Sequence, residues 1–207
     1  MSLMVVNSVF PENFALFERC TSLCFTPQSS YALSNFDKFC SLKNLAINFL
    51  SLQELDVHFA SSFTRTSLAS LLKLEKLCLK GCEVEDLVYP PMVHVLTLED
   101  CPNLINLPFT LNRISIKTCP KLTDFTALQR VDAASLDCPL VDSKEYARLS
   151  CVKRLQVRGS ISDKELDQLV TLIWLDVSYC INVTRVPKLP FLEFVCVEGC
   201  GTEKKLF

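Results

Sequence analysis

An α/β-type solenoid with one short parallel strand per repeat is the fold class this sequence predicts, and three observations predict it. A nine-residue phrase recurs along the chain: apolar, two variable, apolar, one variable, apolar, two variable, then Cys or a small apolar residue. From Leu74 its copies begin 19, 18, 17, 24, 20 and 20 residues apart, the period of a short-repeat array. The 207 residues are 49% apolar, include only 4 glycines and hold no Gly/Ser linker, which predicts one continuous domain.

The layers follow from the phrase. Alternation places its apolar positions on one side of a short strand, and a single strand cannot bury that side alone. Neighbours must therefore stack about 4.8 Å apart, giving a parallel concave sheet. The roughly ten residues left in each repeat are too few for a full helix with its loops. Extended or 3₁₀ segments are expected on the convex side, helped by Pro90, Pro91, Pro108, Pro187 and Pro190.

In chain order, residues 1–41, with Phe10, Phe14, Phe17, Phe25 and Phe36, are expected to form an amino-terminal cap. That cap is either one degenerate repeat, CTSLCFTPQ from Cys20, or a short helix around Pro11 to Cys20. Residues 42–200 hold the repeats. The phrases at Leu42 and Leu52 lie only 10 residues apart, so one of them is a return segment, and the choice stays open. LEKLCLKGC from Leu74, VHVLTLEDC from Val93, LNRISIKTC from Leu111, VKRLQVRGS from Val152, LIWLDVSYC from Leu172 and LEFVCVEGC from Leu192 are clear copies. LQRVDAASL from Leu128 is weaker. Sliding it by two residues would align Cys138 and Pro139 with Cys101 and Pro102, but would point Arg130 into the core, so the unshifted register is preferred. Residues 201–207 form a carboxy-terminal tail too short for a full cap, leaving the last repeat to be covered by the tail or by a partner.

The phrase LxxLxLxxC resembles the leucine-rich-repeat superfamily, with Cys where many members carry Asn. CPNLINLP from Cys101 and CINVTRVP from Cys180 are similar to repeats of plant disease-resistance receptors, and CPKLTDF from Cys119 is similar to the cysteine-bearing repeats of F-box substrate receptors. Similar phrases also occur in bacterial effectors. The resemblance covers residues 42–200 and is specific for fold rather than for function. It implies that the third, fifth and seventh positions of each phrase form a concave binding surface.

Read at the third position, the phrases give Lys76, Val95, Arg113, Arg130, Arg154, Trp174 and Phe194; the seventh gives Lys80, Glu99, Lys117, Arg158, Ser178 and Glu198. The expected partner-binding set is a basic strip of Arg113, Lys117, Arg130, Arg154 and Arg158 running into Trp174, Asp176, Tyr179 and Phe194. Arg, Trp and Tyr are the side chains that dominate interface energetics. An ordinary solvated face, balanced by Asp56, Asp132, Asp176 and Glu198, is the competing reading.

Chemistry is sparse elsewhere. With 21 Lys plus Arg against 23 Asp plus Glu, the net charge of −2 supplies no overall field for nucleic acid or an acidic membrane. His58 and His94, the two histidines, have no positioned nucleophile in their phrases. Cys78 and Cys82, like Cys196 and Cys200, are four apart as metal ligands can be, but strand alternation sends the first outward and the second inward. No phosphate-binding loop is present. No catalytic residue, cofactor, metal or small-molecule substrate is therefore expected.

The 12 cysteines are read as packed, reduced thiols, because Cys82, Cys101, Cys119, Cys180 and Cys200 share one place in the phrase. That places the protein in a reducing compartment, cytoplasmic or nuclear. Met1 to Phe10 lacks the basic start of a secretory signal, and no apolar run nears the roughly 20 residues of a membrane helix. The function expected is a non-catalytic protein–protein interaction module, a subunit or scaffold of a larger intracellular assembly. The alternatives are the substrate-recognition arm of a ubiquitin ligase and a nucleic-acid-contacting subunit using the basic strip.

Overall fold

The structure, a computed structural model, describes residues 2–6, 22–26, 52–58, 68–69, 71–138 and 143–201. Among these, ten parallel strands form a single sheet in chain order. They are β1 (Ser2–Val6), β2 (Ser22–Thr26), β3 (Glu54–His58), β4 (Lys76–Lys80), β5 (Val95–Glu99), β6 (Arg113–Lys117), β7 (Ala133–Asp137), β8 (Arg154–Val157), β9 (Trp174–Asp176) and β10 (Phe194–Cys196). Parallel order without crossovers is what a repeat that pairs only with its neighbours must produce.

The period-two pattern drives the layering. In β3, β5 and β7 the second and fourth residues are buried and the others are part-exposed. The fourth position of the phrase contributes Leu77, Leu96, Ile114 and Leu155 to the core, and the sixth contributes Leu79, Leu98, Ile116 and Val157. Each such side chain contributes about 1.5–3 kcal/mol when fully buried, so the stacked rows hold the coil together.

The eighth and ninth positions turn the chain off the sheet. Gly81, Asp100, Thr118, Tyr179 and Gly199, all at position eight, have φ of 60°, 53°, 53°, 66° and 65°. The left-handed turn lets the next residue drop inward, and that residue is the buried Cys82, Cys101, Cys119, Cys180 or Cys200. Cys101 Sγ donates to the Leu79 carbonyl at 3.5 Å, Cys180 Sγ to the Val157 carbonyl at 3.4 Å and Cys200 Sγ to the Val177 carbonyl at 2.8 Å. A small weak donor thus serves carbonyls at the strand ends, where the ladder stops. Burial pushes the Cys138 and Cys180 thiols up, favouring the neutral form.

Two register questions are resolved. Leu52 opens the phrase of β3, which pairs directly with β2; the Leu42 phrase, like the segment from Pro11 to Cys20 and the tail from 202 to 207, lies outside the described residues. The weak copy does not start at Leu128. Residues Thr126–Arg130 form a 3₁₀ turn, and Ala133 of β7 pairs with Arg113 and Arg154, so Val131 opens that phrase. Arg130 therefore leaves the third-position row, and Ala133 takes its place. The reason is core chemistry: Val131, Ala134 and Leu136 are all buried in this register, while Leu128 fills the core from the turn and Arg130 stays in water. Starting at Val131 also replaces the uneven steps of 17 and 24 by 20 and 21.

The convex side carries short pieces, as expected: 3₁₀ turns at Thr126–Arg130 and Ser143–Arg148 and one α-turn at Asp163–Leu166. The Ser162 N–H donates to the Glu165 carboxylate at 3.0 Å, satisfying one orphan donor of that turn. At the β10 end, Leu192, Val195 and Val197 pack against the core but are only partly buried. No helix among the described residues is long and apolar enough to cross a membrane.

Candidate functional site

Strand stacking turns single outward positions into rows. The third-position row runs Val95, Arg113, Ala133, Arg154, Trp174, Phe194 across β5 to β10. At its carboxy-terminal end the Trp174 and Phe194 rings stack with centroids 5.6 Å apart and planes inclined by 5°. The Arg154 guanidinium lies 6.0 Å from the Trp174 ring centroid on the other side, so cation, indole and phenyl form one continuous ledge. Phe194 remains half exposed.

Ala133 interrupts the row with a side chain too short to reach the height of its neighbours. A concave hollow of about 330 Å³ results, walled by Arg113, Arg154 and Trp174 and floored in part by Thr97, Ser115 and Ser135. The two arginines stand two strands apart, roughly 10 Å at the usual strand spacing.

Charge pairing separates these arginines from the remaining concave cations. Lys76 pairs with Glu54, Lys117 Nζ lies 2.8 Å from Glu99 Oε1, and Lys80 Nζ lies 3.4 Å from Glu99 Oε2. The Lys117 ammonium, hydrogen-bonded to Glu99, holds that carboxyl below its ordinary range. Arg158 is neutralised by Asp176. Among the described residues, Arg113 and Arg154 take part in no ion pair.

Asp176 is a hub rather than an open contact, being 8% exposed. Arg158 grips it with two hydrogen bonds of 2.9 Å, the Ser178 N–H and hydroxyl donate at 3.0 and 2.7 Å, and Gln156 donates at 3.0 Å. Gln156 in turn accepts from the Ser135 hydroxyl at 2.9 Å. Burial alone would raise the carboxyl pKa, but the Arg158 guanidinium and the other donors hold it well below the usual carboxylate range. Arg158 also lies 5.9 Å from the exposed Tyr179 ring, which covers Gly199 so closely that an added Cβ there would meet Tyr179 Cδ1 at 2.6 Å.

The structure thus brings Arg113, Arg154, Trp174 and Phe194 into one row and sets Lys117, Arg158, Asp176 and Tyr179 beside it in paired or buried roles. Arg130 lies apart. Sequence reasoning missed Ala133 and Ser135, which become visible only once the β7 phrase is read from Val131, and Gln156, which holds the outward fifth position of the Val152 phrase. It also missed the convergence of Asp56, His58 and Cys78. His58 Nε2 lies 2.6 Å from Asp56 Oδ1, and burial, with the Asp56 hydrogen bond added, pushes the Cys78 thiol up to about 12.

No family model matches the chain. It is 27% identical over 194 residues to the disease resistance protein RPS4B of Arabidopsis thaliana, covering 83% of this chain and 16% of that protein. The internalin InlF of Listeria monocytogenes superposes with a TM-score of 0.60 at 16% identity, over 96% of this chain and 66% of the internalin. A functional domain of InlJ from the same organism, described as including a cysteine ladder, gives 0.45 at 14% identity over 74% of this chain and 41% of that one. The chain spans about one sixth of the length of the plant protein. With its ten-strand parallel sheet and its likeness to the internalin, the chain has a solenoid fold of the leucine-rich-repeat type.

Proposed function

We propose that this solenoid is a non-catalytic protein-interaction module whose concave face receives an extended, acidic segment of a partner protein. One observation carries the reading: Arg113 and Arg154, alone among the described concave-face cations in lacking an ion pair, flank the Ala133 hollow and abut the Trp174–Phe194 ledge. A carboxylate entering the hollow would meet two planar donor forks, and an adjoining apolar or aromatic side chain would cover the ledge. Desolvated Arg and Trp anchors of this kind carry most of the energy of typical interfaces.

The nucleic-acid alternative requires a strip of free cations. Lys117 and Arg158 are engaged with Glu99 and Asp176, and Arg130 lies elsewhere, so two arginines remain for a polyanion. A protein carboxylate needs no more than two. The row of buried cysteine thiols supports a reducing, intracellular setting in which the module serves as subunit or scaffold. The half-buried Leu192, Val195 and Val197 support a second contact at the β10 end.

Trp174→Ala with Phe194→Ala tests the ledge. Both side chains are part-exposed, so the double variant should unfold cooperatively near the wild-type midpoint while losing capture of the partner in affinity purification. Undiminished capture by the folded variant would sink the reading.

A further inference from the structure

Three side chains of different donor type converge on β3 and β4, away from the arginine row. Asp56 and His58 are two residues apart on β3 and so share a face, while Cys78 is the register partner of Asp56 on β4. All three are part-buried, and their ligand atoms lie within 4.8 Å of one another. We propose that Asp56, His58 and Cys78 form a binding site for a divalent transition-metal cation, Zn²⁺ by its donor chemistry.

The donor set selects the ion. Thiolate, imidazole and carboxylate together suit Zn²⁺, whereas Mg²⁺ and Ca²⁺ take oxygen ligands almost exclusively. Donors carried on paired strands are held in place by the sheet, which limits the reorganisation that binding requires. The nearest cation on the register, Lys80 opposite His58, turns its ammonium toward Glu99 Oε2 at 3.4 Å. Its charge is thereby matched by a carboxylate other than Asp56.

Asp56 stands close to both other groups: its Oδ1 lies 2.6 Å from His58 Nε2, and the Cys78 Sγ lies within 4.8 Å of the ligand atoms of the other two. On binding, the Cys78 S–H bond breaks, an S–Zn bond forms and the proton passes to solvent. His58 loses the Nε2 proton that faces the Asp56 carboxylate to solvent, keeps or gains one on Nδ1 and so supplies the Nε2 lone pair, and Asp56 supplies a carboxylate oxygen. No electron is transferred. Three protein donors leave a tetrahedral position open toward the concave side, for water or for a group of a bound partner.

The test uses the full chain, reduced and stripped of metal with a chelator, then titrated with Co²⁺ as a spectroscopic stand-in for Zn²⁺. The expected result is one bound equivalent with a thiolate-to-cobalt charge-transfer band in the near ultraviolet, displaced by Zn²⁺. Cys78→Ser should abolish the band. His58→Ala should weaken binding by on the order of tenfold or more. Cys101→Ser, in the buried thiol row, should leave the band intact, and metal-free melting curves would verify that each variant is folded. A wild-type chain without the band, or a band that survives Cys78→Ser and vanishes in Cys101→Ser, would overturn the proposal.

Discussion

Asp176 stays ionised under the Trp174 ledge because five hydrogen bonds converge on it, and this makes it the residue whose environment has the clearest measurable consequence. Its carboxyl pKa is depressed in the folded state, against about 3.9 for an unperturbed Asp. The sign follows from linkage: a depressed carboxylate stabilises the fold above the unfolded value, and that contribution is lost as the pH falls through the folded value. Asp176→Asn should therefore cost about 1–3 kcal/mol at neutral pH, less than for a fully buried pair because the Arg158 side chain is 29% exposed. Urea midpoints of wild type and variant should draw together as the pH is lowered from about 5 to 2. A gap that stays constant over that range would show that Asp176 acts through shape alone. The residue type and position of Asp176 were legible in the sequence as an outward fifth position. Its burial was not, since it depends on Gln156 and Arg158 reaching it from β8 and the residue after it, and on Ser178 from the turn after β9.

Within each repeat, the strand and the turn that ends it are separate decisions. The strand was legible, because apolar alternation has only one solution once stacking is required. The turn was written less plainly. Glycine at position eight, as in Gly81 and Gly199, marks a left-handed residue, but Asp100, Thr118 and Tyr179 adopt the same conformation without that marker. A β-branched residue there is strained, at about 1–2 kcal/mol for an L-residue in this region. Thr118→Gly should relieve that strain while keeping the Thr118 N–H bond to the Asp137 carbonyl at 3.2 Å. After glycine's added unfolded-state entropy, a net gain of roughly 0.5–1 kcal/mol is expected, read as a higher thermal midpoint. A lower midpoint would mean that the Thr118 side chain contributes more than its backbone costs. The β7 repeat illustrates the other limit of legibility. Its phrase holds Ala133 and Ala134 where other copies hold larger residues, so Leu128, three positions early, offered a stronger apolar signal than Val131 did. Packing decided between them, because Leu128 could be buried from the 3₁₀ turn as well.

For the whole molecule, the period fixed the architecture: steps of 18 to 22 residues from Leu52 onward build one sheet from β3 to β10, with the cysteine row beneath its turn edge. The aromatic end of the concave face was legible for the same reason, since Trp174 and Phe194 fall at one position of successive phrases. Its charge pattern was not. A phrase shows where a cation stands but not which carboxylate of the neighbouring repeat neutralises it, and that pairing, together with the β7 register that removes Arg130, reduces a five-residue basic strip to Arg113 and Arg154. The central claim is that these two arginines select an acidic segment of a partner. Its most direct measurement is quantitative affinity purification from the native cell with wild type and an Arg113→Glu/Arg154→Glu variant, matched in expression and in melting temperature. Because neither arginine supports the fold through an ion pair, the variant should remain folded, within about 0.5 kcal/mol per substitution as for other surface changes. The proteins bound by the wild type should be lost from the variant, and their contacting segments, mapped by cross-linking, should carry Asp or Glu. Retention of the same partners by the charge-reversed chain would contradict that claim.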